Sequence, residues 1–408
     1  MFLEERRTHI LAFLDKNERA TVNQLAALFS LSKETIRHDL NALANQGLVQ
    51  RCHGGAQIVR KSFQSDLIGS SDSVNIETLL RKINRKKPRA ARVERTGQLT
   101  GGKVCILGSF NVDIVAKVER FPKGGESIMA VDSALGPGGK GANQALAASK
   151  AGADVHFVCK VGKDRFSQLA YEHLSASDIH SFTLYQSESV PTGNAIIYVS
   201  QQNGENMIAI HSGANQTITE SEIIAIHERL AQSHVLLVQL ENNFDATLNA
   251  MKIASALGVS IIVNPAPYSH EILPHLSLVD IITPNETEAS LLSGIEVTDW
   301  KSAKKAAQEI AGKGVKTVII TMGNQGALIY ENQRFYEVSA FPAVAVDTTG
   351  AGDAFTGALT AAVASGQSIR WAATYACAFA SLAVEREGAA NMPSHEQVLH
   401  RLSQTVRQ

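Results

Sequence analysis

Near the carboxyl end, AVDTTGAGDAFTGAL (345–359) sets three small residues, Gly350, Ala351 and Gly352, directly before Asp353 and a helical pattern. Small residues let a backbone turn open a helix with its N–H groups free, and such a turn cradles phosphate oxygens. An aspartate beside that nest can accept the proton of an attacking hydroxyl during phosphoryl transfer. By themselves these four residues are equally a Gly-rich turn with Asp353 capping a helix. Other polar residues break the tie. In GSFNVDIV (108–115), Asn111 and Asp113 fall on one face of a strand by its period of two. LGPGGKGANQALAA (135–148) places a Gly-rich turn before a helix carrying Asn143, and VQLE (238–241) ends a strand at Glu241. Paired acceptors and amide donors suit the adjacent hydroxyls of a polyol, and open α/β sheets hold ligands at strand carboxyl ends.

A different chemistry stands at the front. Ser32 is a good N-cap for KETIRHDLNALANQ (33–46), which Gly47 ends. Ile36, Leu40 and Leu43 mark one buried face, leaving Lys33, Glu34, Thr35, Arg37 and His38 outward near the helix start. There a recognition helix meets base edges and phosphates. Before it, Leu3, Ile10, Leu11 and Leu14 share a face within residues 3–15, and Thr21 caps VNQLAALF (22–29). After it, LVQRCHGGAQIV (48–59) predicts a wing, a hairpin turning at Gly54-Gly55 that adds Arg51 and His53 as candidate DNA contacts.

The elements that must hold these residues divide the chain into three pieces. Residues 1–60 read as a winged helix-turn-helix. Residues 61–102, rich in Lys and Arg from Arg81 to Arg95, read as a basic linker. From 103 to 408, apolar runs such as VCILG (104–108), VLLVQL (235–240), SIIVNP (260–265), VDIITPN (279–285) and TVIITMG (317–323) alternate with helical stretches. That alternation predicts an α/β fold with a parallel sheet wrapped by helices. TGNAIIYVSQQNGENMIAIHSGAN (192–215), with an Asn-Gly turn at 203–204, predicts a small β-lid. The length of 408 residues fits two or three domains. With 44 % hydrophobic and 19 % charged residues the composition excludes a disordered or collagen-like chain. The net charge of −1 hides an asymmetry, with 17 basic against 10 acidic residues in the first hundred and 21 against 29 thereafter. Such a split suits a front that faces nucleic acid. Cys52, Cys105, Cys159 and Cys377 lie far apart, which fits neither a zinc knuckle nor a disulfide framework. The mixed charges of MFLEERRTHI and the lack of a long apolar run predict a cytoplasmic protein without a membrane span.

RRTHILAFL, TVNQLAALFSLSKETIRHDLNALANQGLVQR and HGGA closely resemble the DNA-binding domain of DeoR-type bacterial repressors over about sixty residues. The resemblance implies operator binding by the third helix and the wing. His38 departs from it, since a second Arg usually follows the Arg at position 37.

NVD, GGKGANQA, QLE, NPAP, TPNETE (283–288), TMGNQG (321–326) and DTTGAGD occur in the order and spacing of PfkB-type, ribokinase-like carbohydrate kinases. By this resemblance Asn111, Asp113, Gly139, Lys140, Asn143 and Glu241 hold the sugar, and Asp353 is the general base. Gly350, Ala351 and Gly352 form an anion hole. Asn285, Thr321, Gly323 and Gly326 line the ATP site, where Glu288 helps to organise magnesium and phosphate. A potassium site is implied at Asp347 and Thr349 with backbone from Ala383, Arg386 and Gly388. Cys377 and GAANMPS (388–394) depart from the pattern, near the adenine and in the cation loop. The lid also implies a homodimer. The expected activity is ATP-dependent phosphorylation of a pentose, D-ribose to ribose 5-phosphate, joined to sugar-responsive transcription control. A regulator whose kinase fold only senses sugar, and a deoxyribose or nucleoside kinase, remain open alternatives.

Overall fold

Short apolar periods build the front of the chain, and long buried runs build the rest. The computed structural model describes residues 6–7, 10–11, 13–14, 19–29, 31–45, 49–52, 55–58, 75–84, 101–179, 181–202 and 205–405. The chain divides into two compact units, Met1–Ser73 and Val74–Gln408.

In the first unit, β1 (Arg19–Thr21) leads into α1 (Val22–Phe29), followed by α2 (Lys33–Asn45), β2 (Val49–Cys52) and β3 (Gly55–Ile58). Thr21 caps α1 reciprocally: its Oγ1 accepts the Gln24 N–H at 3.2 Å while Gln24 Oε1 accepts the Thr21 N–H at 2.8 Å. Ser32 Oγ accepts the Thr35 N–H at 3.1 Å and so starts α2. Ile10, Leu14, Leu25, Ile36, Leu40 and Leu43 close one core. The wing is a three-stranded antiparallel sheet ordered β1-β3-β2. Its third member, β1, is too short to show a period in the sequence. Leu3, His53 and Gly54 lie outside the described residues.

The second unit opens with α3 (Ile76–Asn84), inside the stretch expected as linker. Ile76 and Leu79 are buried, Leu80 and Ile83 pack beside them, and Asn75 Oδ1 caps the helix through the Thr78 N–H at 2.9 Å. The linker reading is therefore corrected over these residues, because an apolar stripe at helical spacing underlies the basic face.

Next come β4 (Lys103–Leu107), β5 (Asn111–Val118), β6 (Ala130–Gly138), α4 (Lys140–Lys150), β7 (Asp154–Gly162), α5 (Arg165–Ala176), β8 (Ser181–Ser187), β9 (Gly193–Ser200) and β10 (Asn206–His211). They lead through α6 (Glu220–Ala225), α7 (His227–Gln232), β11 (Val235–Val238), α8 (Phe244–Leu257), β12 (Ser260–Val263), β13 (Ile281–Ile282), α9 (Glu286–Ser293) and α10 (Trp300–Gly312). The order ends with β14 (Thr317–Thr321), β15 (Gly326–Glu331), β16 (Arg334–Ser339), α11 (Ala351–Ala364), α12 (Ile369–Ala383) and α13 (His395–Thr405).

Nine strands form the main sheet in the order β16-β15-β14-β13-β12-β11-β4-β7-β8. Six pairings, from β14 through β8, are parallel, whereas β14–β15 and β15–β16 are antiparallel, so the sheet is mixed rather than wholly parallel. The tight reversal at 323–326 causes this. Gly326 sits at φ 115°, and a Cβ there would lie 1.9 Å from the Val338 carbonyl oxygen. Helices cover both faces, with α4, α11 and α12 in one apolar cluster and α3, α8, α9 and α10 in the other. A Cβ on Gly357 would come within 2.5 Å of the Gln144 carbonyl oxygen, so this glycine lets α11 lie close against α4.

The lid is larger than a hairpin. Four strands, ordered β10-β9-β5-β6, form it, and Asn111 and Asp113 lie at the start of lid strand β5 rather than at the end of a core strand. Met129, Val131, Leu135, Ile196, Met207, Ile208 and Ile210 leave its apolar side chains exposed. The Asn-Gly turn at 203–204 lies outside the described residues. Cys105, Cys159 and Cys377 are buried free thiols. Burial pushes Cys105 and Cys377 up to about 12 and Cys159 higher still. No helix among the described residues is long and apolar enough to cross a membrane.

Candidate active site at the strand tips and lid

Glu241, three residues past β11, organises the sugar side. Its Oε2 accepts the Ser109 hydroxyl and the Lys140 N–H, the latter at 3.0 Å, while the Gly141 N–H reaches Ser109 Oγ at 3.3 Å. Ser109 thereby ties β4, α4 and the tip of β11 together. Asn215 does the same for the lid: its Nδ2 donates to Asn111 Oδ1 at 2.8 Å, and its Oδ1 accepts the Phe110 N–H at 3.1 Å. Gln216 Nε2 donates to the Glu241 carbonyl at 2.7 Å. A cavity of about 170 Å³ opens here, lined by Asn111, Asn215, Gln216, Glu241, Ile210 and Pro267. Ser109, Asn215 and Gln216 were not singled out from sequence. Ser109 lies inside and Asn215 at the end of a quoted segment, but nothing in the spacing separates them from ordinary polar residues.

Asp353, 5 % exposed in the first turn of α11, accepts the Asn143 Nδ2 at 3.1 Å and the Gln144 Nε2 at 2.9 Å. Burial pushes the Asp113 carboxyl up to about 6, and the negative charges of Glu241 and Asp353 add to the rise. Burial likewise raises Glu241, against hydrogen bonds from Ser109 and Lys140. Lys140 is held above the ordinary lysine range chiefly by Asp353, against the opposing effect of burial, with Glu241 and Glu288 contributing. Lys140 thus faces three carboxylates, with Asp113 close to two of them, an excess of negative charge that suits a neutral polyol and disfavours a bare polyanion. A Cβ on Gly138 would fall 2.2 Å from Asp113 Oδ1, so the carboxylate lies on bare backbone.

Gly350 caps α11 at φ 76°, with no room for a side chain beside Ala389. The N–H groups of the expected nest and of Asp353 beside it are not equivalent. Ala351 N–H donates to the Thr348 carbonyl at 3.2 Å, whereas those of Gly350, Gly352 and Asp353 meet no acceptor among the described residues. Space beside Gly352 is open.

Asn285 and Glu288 form a capping box at the start of α9, with Glu288 Oε2 accepting the Asn285 N–H at 3.0 Å and Asn285 Oδ1 accepting the Glu288 N–H at 2.8 Å. Burial raises Glu288. Thr321 bridges to Asn285, and Gly323 lies near Glu286, so this group gathers at the start of α9. Gly326 holds the β15 reversal. Asp347 receives the Thr349 N–H at 2.9 Å and the Gly388 N–H at 3.0 Å. Although burial opposes it, these bonds and Lys117 hold Asp347 below its usual range. The Val384 carbonyl accepts the Val346 and Asp347 N–H groups, bringing the 383–388 loop alongside, while the Ala383 carbonyl takes the Arg386 N–H.

In the first unit Lys33, Arg37 and His38 are exposed and Thr35 is half-buried on α2. Arg37 pairs with Glu34 at 3.4 Å in solvent, a contact worth little. Asp39, fully buried on the same helix, holds Arg6 and Arg7, the latter at 3.2 Å. Arg51 falls on β2.

Residues 102–396 match the pfkB family carbohydrate kinases, and residues 6–62 match the DeoR-like helix-turn-helix domain. A ribokinase of Staphylococcus aureus is 38 % identical over 302 residues, covering 72 % of this chain and 98 % of that one. A deoxyribokinase of Salmonella typhi is 33 % identical over 302 residues, covering 74 % and 98 %. The structure of Arabidopsis thaliana ribokinase complexed with ribose and ATP superimposes with a TM-score of 0.67 at 31 % identity, over 74 % of this chain and 99 % of that one. With its strand order, its lid and its Gly350–Asp353 helix start, the chain belongs to the pfkB family of carbohydrate kinases, as a ribokinase-type, ATP-dependent member carrying a DeoR-like helix-turn-helix domain at its front.

Proposed function

We propose that the second unit transfers the γ-phosphoryl group of ATP to D-ribose, giving ribose 5-phosphate, and that the first unit binds operator DNA, making the chain a sugar-responsive regulator. The observation that carries the kinase half is Asp353. Its carboxylate is fixed by Asn143 at the start of a helix whose Gly350, Gly352 and Asp353 N–H groups meet no acceptor among the described residues. In this reading Asn111, Asp113, Gly139, Lys140, Asn143 and Glu241 bind and orient the sugar under the lid. Asp353 takes the proton from the reacting hydroxyl, and the free N–H groups receive the transferring phosphoryl oxygens. Asn285, Thr321, Gly323 and Gly326 border the nucleotide. A magnesium ion, for which the half-buried Glu288 carboxylate is a fitting neighbour, would supply charge neutralisation for the phosphates. A potassium ion fits the oxygen-rich corner of Asp347 and the 383–388 backbone. The exposed apolar side chains of the lid support a homodimer paired through it.

The deoxyribokinase relatives support a second reading in which the substrate lacks the 2-hydroxyl. A panel of ribose, deoxyribose and nucleosides separates the two by their relative kcat/KM. For the chemistry, Asp353→Asn is expected to lower kcat by about 10²–10⁴-fold while sugar binding stays measurable by calorimetry. Full turnover in that variant removes Asp353 from the reaction.

A further inference from the structure

Behind Asp353 lies a chain of buried amides that the reaction as outlined does not use. We propose that Gln144, oriented by Asn264 and Gln239, is a positioning residue that fixes the Asp353 carboxylate for its work on the sugar hydroxyl. The proposal rests on the reading of Asp353 as general base.

Asn143 borders the proposed sugar site, so its amide is shared between substrate and Asp353. Gln144 is different. It is fully buried, and its Nε2 donates to Asp353 Oδ1 and to Asn264 Oδ1, both at 2.9 Å, while its Oε1 accepts the Gln239 Nε2 at 2.6 Å. Asn264 Nδ2 in turn donates to the Thr283 carbonyl at 2.9 Å. A backbone carbonyl can only accept, so Thr283 decides which way Asn264 faces. Asn264 then presents its oxygen to Gln144, and Gln144 presents its N–H to Asp353. Reversing Gln144 would set its oxygen against the carboxylate and against Asn264 Oδ1, two repulsive contacts at once.

The members come from different elements. Gln239, Asn264 and Thr283 each follow directly on β11, β12 and β13, Gln144 is on α4, and Asp353 is on α11. Three strand tips and two helices therefore converge on one carboxylate oxygen. Gly108 leaves the room this needs, since a Cβ there would stand 2.3 Å from Gln239 Oε1. That oxygen is buried without a hydrogen-bond partner among the described residues. An orphaned acceptor costs stability, and an apolar side chain of similar size would avoid it. Gln239 thus serves the orientation of Gln144 at the expense of its own other end.

Lys140 on α4, Asp113 on β5, Glu241 beyond β11 and Glu288 on α9 are the charged groups facing Asp353. Three are carboxylates, whose charges repel that of Asp353, and the N–H that Gln144 donates to Oδ1 at 2.9 Å offsets them. Removing that donor leaves the charge of the carboxylate less well compensated and its oxygens less well aimed.

The test is steady-state kinetics of the full chain across pH for Gln144→Met, which keeps volume and removes the amide. The expected result is a kcat lower by about 10- to 100-fold, as for a displaced catalytic group, with sugar KM within about threefold and the acid limb of kcat/KM moved to higher pH. A rate lowered equally at every pH with the limb in place is what loss of correctly folded enzyme alone produces, and in a variant whose active fraction is parental it overturns the proposal. Gln239→Leu exchanges one orphaned acceptor for another and so keeps the fold. It should slow turnover in the same direction by a smaller factor, and it decides the matter if Gln144→Met does not fold. Parental kcat and parental pH limb in the folded variants overturn the proposal. If Asp353→Asn also turns over at the parental rate, the base assignment itself has failed, whereas an inactive Asp353→Asn beside parental Gln144→Met and Gln239→Leu dismisses the relay alone.

Discussion

Asp113 links binding to stability through a single proton. Its folded value of about 6 lies above the value near 4 of an exposed aspartate. Between these pH values the folded chain binds more protons than the unfolded one, so the contribution of Asp113 to stability falls as pH rises from about 4 to about 6 and the penalty remains above that. Asp113→Asn removes the penalty. It should raise unfolding free energy by roughly 1–3 kcal/mol at pH 7.5, make little difference near pH 4, and weaken sugar binding at pH 7.5. Denaturant melts at the two pH values, with sugar calorimetry, check this. A variant no more stable than the parent at pH 7.5 would show that Asp113 is charged at little cost. The residues proposed to line the pocket could be named from the sequence because each sits in a short run whose order along the chain is itself informative. Ser109, Gln144 and Asn215 were not, because a serine or an amide in a sequence says nothing of the partner that will orient it, and their partners lie 132, 209 and 104 positions away.

At the scale of elements, strand runs and helix caps were readable from local period and N-cap chemistry, as Ser32 and Thr21 show. What local period could not supply was sheet membership. Asn111 and Asp113 were correctly placed on one face, but membership of β5 in the lid depends on pairing with β6 and β9, a long-range event. α3 was hidden for another reason: Arg81, Lys82 and the basic residues after it outweighed Ile76, Leu79, Leu80 and Ile83. Its attachment is specific, since the Ile76 N–H donates to Glu220 Oε1 on α6 at 2.7 Å and the helix packs on α8. Leu79→Ala should therefore destabilise the kinase unit by about 2–3 kcal/mol, while Arg81→Ala, in an exposed pair with Glu77, should change it by no more than about 0.5 kcal/mol. Urea titrations followed by tryptophan fluorescence distinguish them. Equal midpoints would mean that α3 merely rests on the surface.

The molecule as a whole joins a basic front to an acidic kinase, and the proposed regulation requires that the two communicate. Ribose, alone or with ATP, should then change operator affinity by a coupling free energy of about 1–3 kcal/mol, and operator DNA must change ribose affinity by the same factor. Operator titrations with and without saturating ribose, ATP and ribose 5-phosphate decide it. Superimposable curves in every condition would mean two activities that share a chain and nothing else. The buried cysteines offer a way to follow such coupling without any turnover. Cys105 and Cys159 lie on adjacent interior strands, sealed from reagents and barely ionised at neutral pH. A thiol-modifying probe reaches them only when the sheet opens, so their labelling rate is a clock for that opening. Any ligand that binds the closed form slows the clock in proportion to its occupancy, and sugar and DNA can each be read on the same dial.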